Sequence, residues 1–199
     1  MNISKRTYDP KLIGTLATLK FVVLSELVPQ KQMNQLFIHV VKCHKLPIEP
    51  EVIRTIRKSD QFQKYWTRFL DKLEIPIDDE TFDIDKVNVH KIKRELIGSV
   101  AIINLMSVNN YISKVDAYTI LIGVMQCHDL FPMTELVGKI LKTKTYKRYL
   151  KKLNRIPIEK IDDDIFNQNI YDDVFIQNIY SKTLRRKKNK QLQIFNNTE

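Results

Sequence analysis

Two dipeptides carry the residue types most often met at metal and nucleophile sites, Cys43-His44 and Cys127-His128. Two cysteines and two histidines satisfy a tetrahedral zinc site. Neighbouring residues on a helix point about 100° apart, however, so all four side chains converge only if two helix ends meet face to face. A core cysteine followed by a helix-end histidine, which the helix dipole favours there, accounts for both pairs without metal. No cofactor or metal is therefore expected. Nucleophilic catalysis finds no support: there is no G-x-S-x-G elbow, and no third group stands beside either Cys-His pair. The four glycines, Gly14, Gly98, Gly123 and Gly138, are scattered rather than clustered, which argues against a phosphate-cradling loop of the P-loop or Rossmann kind. The carboxylate runs at 78–80 and 162–164 read as solvated linker charge, and the chain is expected to be no enzyme.

The elements that position these residues come from an internal repeat. Ile13-Gly14 aligns with Ile97-Gly98, and the same offset holds without a gap to Leu46 and Leu130. Along it Ala17 meets Ala101, Leu36-Phe37-Ile38 meets Ile120-Leu121-Ile122, Val40-Val41 meets Val124-Met125, and Cys43-His44 meets Cys127-His128. The first copy then carries a short insertion before the match resumes, with 65–77 opposite 145–158. Apolar residues recur at helical spacing in each copy: Leu12, Leu16, Leu19, Val23 and Leu27, then Met33, Leu36, Phe37, Val40 and Val41, then Ile53, Ile56, Phe62, Tyr65, Trp66, Phe69 and Leu73. Pro29, Pro47 and Pro50 punctuate them. Strict alternation between Asn-Gly or Asp-Gly turns is missing. The expected fold is all-α, two tandem copies of a small helical bundle at 11–76 and 95–160. A polar linker at 77–94 joins them and a C-terminal region at 161–199 follows.

The joint between the second and third helices reads KLPIEPEVIRTIRKSDQFQKY (45–65) in one copy and LFPMTELVGKILKTKTYKRYLKK (130–152) in the other. It resembles the N-terminal domain family of transcription elongation factor IIS, to which the integrase-binding domain of lens epithelium-derived growth factor is structurally related. Leu46-Pro47-Ile48 and Pro132-Met133-Thr134 match the Leu-Pro-Ile/Met-Thr opening of the family motif. Ile53, and Leu136 or Val137, match its next apolar position. Phe62 with Tyr65, and Tyr146 with Tyr149 and Lys151-Lys152, stand where the family has Val-x-x-Leu and a basic pair. Neither copy has the family's Ile-Gly turn, where Lys58-Ser59 and Thr143-Lys144 stand instead, and Glu49 replaces the Thr in the first copy. The resemblance covers most of each copy and leaves the linker and the tail outside. It implies a binding module that docks acidic disordered segments with paired aromatics at its helix joints. The partner surface would be Leu46, Pro47, Ile48, Lys58 and Phe62 in the first copy. In the second it would be Leu130, Phe131, Pro132, Lys144 and Tyr146.

Charge agrees with an anionic partner: 33 Lys and Arg oppose 23 Asp and Glu, for a net +10. Within 162–180 the run Gln168-Asn169-Ile170-Tyr171 is echoed by Gln177-Asn178-Ile179-Tyr180. These residues fit either an extra helix on the second copy or an acidic-aromatic segment that binds a groove. Lys182, Arg185, Arg186, Lys187, Lys188 and Lys190 follow, suited to nuclear import or to DNA or RNA phosphates. No run nears the roughly 18 apolar residues that cross a bilayer, so no membrane is expected. The N-terminus lacks a signal-peptide core, and two cysteines suit a reducing compartment. The functional expectation is a nuclear, non-enzymatic adaptor for acidic segments, with nucleic-acid binding through Lys/Arg faces and the tail as its rival.

Overall fold

The computed structural model describes residues 7–73, 87, 92–131 and 133–158. Among them are eight α-helices and no strand: α1 (Pro10–Leu24), α2 (Gln30–Cys43), α3 (Pro50–Lys58), α4 (Asp60–Leu73), α5 (Arg94–Val108), α6 (Lys114–Gln126), α7 (Thr134–Lys142) and α8 (Lys144–Leu153). The all-α expectation holds. Helices α5 to α8 begin at one constant offset from their counterparts α1 to α4, at Pro10 and Arg94, Gln30 and Lys114, Pro50 and Thr134, Asp60 and Lys144. That offset is the one that relates Ile13 to Ile97. This corrects the alignment of the last helix. Nothing is inserted between α2 and α4, and the length difference lies within the fourth helix, 14 residues in α4 against 10 in α8. The shared Ile-Pro-Ile beyond that helix pulled the alignment out of register.

Local chemistry fixes the boundaries. Asp9 caps α1 by accepting from the Lys11 amide at 3.0 Å, and Ser113 caps α6 by accepting from the Asp116 amide at 3.0 Å. α3 breaks into α4 at Ser59, and α7 into α8 at Thr143, both in extended backbone. The Ser59 hydroxyl donates to the Ile56 carbonyl at 2.6 Å and accepts from the Phe62 amide at 3.3 Å. Thr143 repeats this with Ile140 and Tyr146 at 2.8 and 3.2 Å. One hydroxyl thus ends one helix and starts the next, the task a glycine turn performs elsewhere. The first two helices of each half end on residues with positive φ, Glu26 and Lys45, Asn110 and Asp129. There the Leu46 amide reaches back to the Val41 carbonyl and the Leu130 amide to that of Met125, at 3.2 and 3.1 Å, closing each helix end.

α1 and α5 form the centre. Nearly every side chain from Leu12 to Leu24 is buried, not only the stripe seen in the sequence, because α1 is enclosed by α2, α4 and α5. The two central helices pack backbone to backbone. A Cβ at Gly14 would strike the Glu95 carbonyl, and one at Gly98 would strike that of Lys11. Buried Thr15 and Thr18 satisfy their hydroxyls on the carbonyls of Lys11 and Gly14, one helical turn back, at 2.7 and 3.0 Å. The outer helices cross between halves: α4 packs on α6, and α8 on α2. One hydrophobic cluster therefore runs through both halves.

Candidate functional site

The Cys-His pairs sit at the ends of α2 and α6, where each half grips the fourth helix of the other. The Cys43 thiol donates to the Leu153 carbonyl at 3.6 Å, and the Cys127 thiol to that of Phe69 at 3.1 Å. His44 Nε2 lies 2.9 Å from the Tyr149 hydroxyl, and His128 Nε2 lies 2.9 Å from that of Tyr65. Both cysteines are buried, and among the described residues no three Cys, His, Asp or Glu side chains gather as metal ligands. The pairs pin the halves together.

Beyond these pins the two junctions differ. At the first, Lys152 Nζ lies 3.0 Å from His44 Nδ1. An ammonium only donates, so His44 carries its proton on Nε2 and donates to the Tyr149 oxygen. The Tyr149 hydroxyl donates in turn to Thr15 Oγ1 at 2.9 Å, and Thr15 to the Lys11 carbonyl. Burial, and then Lys152, push His44 down to about 4, so it is neutral at neutral pH. Burial raises Tyr149 and lowers Lys152 from their ordinary values. Two ammonium groups approach the Tyr149 ring, Lys11 at 5.7 Å and Lys152 at 5.9 Å from its centroid.

These side chains floor a cleft of about 350 Å³ lined by Asp9, Lys11, Arg94, Thr145, Arg148, Tyr149 and Lys152. The cleft joins the N-terminal ends of α1 and α5 to one face of α8. Among its described lining residues the one carboxylate is Asp9. Burial opposes its charge, yet the amide and ammonium of Lys11 hold it below the usual carboxylate value. Lys11 is its ion-pair partner at 3.3 Å. Among the described residues, no ion pair engages Arg94 or Arg148.

At the second junction Arg68 stands where Lys152 does, but it pairs with Asp129 at 2.9 Å. His128 Nδ1 is left buried without a partner. Burial, and then Arg68, lower His128 to about 3. Tyr65 reaches Ser99 at 3.4 Å. Gln61, the counterpart of Thr145, is tied in two 3.0 Å bonds to the backbone of buried Tyr8.

The residues singled out from sequence fall into three groups. Pro47, Ile48, Lys58 and Lys144 are exposed, and Leu46, Leu130 and Phe131 are half-buried. Phe62 and Tyr146 belong to the core, at 0% and 3% exposure. Phe62 stacks on Trp66 at 6.3 Å between ring centroids, and the Tyr146 hydroxyl accepts from Asn104 at 2.7 Å. As expected positions for a partner, these two are corrected: they stand beneath the surface because the break at Ser59 or Thr143 turns the third residue of the next helix inward. Pro132, the linker carboxylates and the tail residues Lys182, Arg185, Arg186, Lys187, Lys188 and Lys190 lie outside the described residues. The sequence reading missed the cleft. Its one local signal was the dense charge of 144–152, and what assembles it is the meeting of Lys11, Arg94 and α8 across the halves.

No protein-family model, curated protein or solved structure matches the chain. Among the described residues no helix is long and apolar enough to cross a membrane.

Proposed function

We propose that the protein is a non-enzymatic interaction adaptor that docks a short acidic segment with an aromatic anchor at its α2–α3 joint. The observation that carries this reading is Ile48, a large apolar side chain left 44% exposed. The joint that holds it is fixed by the closing hydrogen bonds of α2. Pro47 precedes it, also exposed, and exposed Lys45 and Lys58 flank it along the chain. An exposed apolar side chain in a basic stretch suits such a segment: charge raises the rate of encounter, and an aromatic anchor slows release. The resemblance to the elongation factor IIS domain family supports the same reading, and with it a nuclear, transcription-linked setting.

A second reading is favoured by α8, whose exposed Lys144, Lys147, Arg148 and Lys151 form a cationic face with no acidic residue in the helix. That face suits nucleic-acid phosphates, with the tail as a further contact.

Fluorescence anisotropy with a labelled acidic peptide carrying two phenylalanines separates the two. On the adaptor reading Ile48→Asp weakens the peptide about tenfold, a loss of about 1.4 kcal/mol, and Lys58→Glu weakens it less. Unchanged affinity in Ile48→Asp refutes the joint. Tight binding of an oligonucleotide that falls steeply with salt and is lost in Lys147→Glu, with no peptide binding, establishes the second reading instead.

A further inference from the structure

We infer that the cleft between α1, α5 and α8 is a binding site for a small phosphorylated compound, held by Lys11, Arg94, Arg148 and Lys152. Among the described residues, four cations and one carboxylate line the same cleft of about 350 Å³. Like charges so gathered repel, and that repulsion is relieved by a multivalent anion. The two guanidinium groups match a phosphate with paired donors, and Thr145 adds a hydroxyl. The lysines are held in place rather than free: Lys152 by His44, and Lys11 by Asp9. The chain from His44 through Tyr149 to Thr15 anchors that floor to the central helix. The volume lies at the lower end of the roughly 300–1,000 Å³ typical of small-ligand pockets, room for a compact ligand.

The corresponding surface of the other half supplies an internal control. At the offset that relates the two halves, Lys11 corresponds to Glu95, Lys152 to Arg68 and Arg148 to Lys64, while Arg94 corresponds to Pro10. Arg68 is already taken by Asp129, and Gln61 by Tyr8. Asp9 corresponds to Lys93, so the second junction also keeps more cations than acids, but with Glu95 in place of Lys11, Pro10 in place of Arg94 and Arg68 paired with Asp129 its cationic excess is smaller. This inference is independent of peptide docking at Ile48.

Calorimetric titration of the full chain with sodium pyrophosphate and with inorganic phosphate, against sodium chloride at equal ionic strength, tests it. Pyrophosphate is expected to bind and to raise the unfolding temperature, with inorganic phosphate weaker. The exposed pair Arg94→Gln and Arg148→Gln together should weaken pyrophosphate at least about tenfold, since two charge-assisted contacts are lost. Lys64→Gln should leave it within about twofold, as expected of an exposed charge away from the ligand. Circular dichroism in chloride verifies that each variant is folded. Absence of binding beyond the chloride control overturns the inference, and so does an equal loss in Lys64→Gln. An oligonucleotide that binds through Arg94 and Arg148 while pyrophosphate does not also overturns it, and reassigns the cleft to backbone phosphates. Ile48→Asp should leave pyrophosphate untouched, so failure of the joint and failure of the cleft are told apart.

Discussion

The junction around Cys43, His44 and Tyr149 and the one around Cys127, His128 and Tyr65 begin from the same parts. In each, a thiol is bonded to a carbonyl of the opposite half, and a neutral histidine to a tyrosine hydroxyl. Their surroundings diverge. Lys45 follows the first pair and Asp129 the second, both at positive φ. That one exchange gives Arg68 a partner, and among the described residues none bonds to His128 Nδ1. At the first junction no acid stands in that place, and Lys152 bonds to His44 instead. The comparison shows how the same scaffold carries a rim arginine paired with an acid in one place and a more cationic cleft in the other. The shared buried parts hold the halves together, and a few rim charges decide whether anything else is invited.

The largest expected effect tests the shared part. Gly14→Ala and Gly98→Ala each place a methyl against a main-chain carbonyl that cannot turn aside, and each should cost about 3 kcal/mol or more in urea unfolding. Near-equal losses support equivalent roles at the centre, and a harmless Ala at either position breaks the comparison.

Acid comes next. The unfolded chain protonates its histidines near the ordinary 6.5, whereas the folded chain holds His44 to about 4 and His128 to about 3. Their contribution is therefore whole above about pH 6.5 and is lost as pH falls toward those folded values. The slope is about 1.4 kcal/mol per pH unit for each histidine. Urea midpoints between pH 7 and 4.5 should fall less steeply in His44→Gln and in His128→Gln than in the parent. A parallel fall in all three sinks the assignment.

A smaller effect sharpens the difference. Tyr149→Phe removes the oxygen that joins His44 to Thr15 and should cost about 2 kcal/mol. Tyr65→Phe also removes a 2.9 Å bond, to His128, but beyond it only a weak 3.4 Å contact to Ser99, which keeps its carbonyl partners, so it should cost less, about 1 kcal/mol. Equal or reversed costs show that the His44 chain adds nothing beyond the pin. The smallest change lies where the halves share no constraint. Gly138 in α7 has open space at its Cβ, so Gly138→Ala should stabilise by about 0.5–1 kcal/mol. A loss there means that α7 packs more tightly than this.

Much of the fold was legible. Periodic Leu, Ile, Val and Phe mark helices because one face of each must leave water, and Pro29, Pro47 and Pro50 punctuate them. The offset between the halves follows from identities such as Ile13-Gly14 and Ile97-Gly98. The register of α4 against α8 was misread because residue identity beyond a helix says nothing of where that helix begins. Phe62 and Tyr146 were placed at a surface because a joint looks exposed in sequence, whereas the hydroxyl break rolls the next turn inward.

Composition and periodicity alone thus determined an all-helical chain with a basic balance. Only the tertiary structure decided that α1 and α5 meet at their glycines, that each Cys-His pair reaches the other half, and that Lys11, Arg94, Arg148 and Lys152 face one cleft. The physical reason is range. Helix formation is governed by near neighbours one turn apart, which a sequence displays directly. Whether charges far apart along the chain attract, repel or bind a third party depends on how helices pack, which no local pattern records.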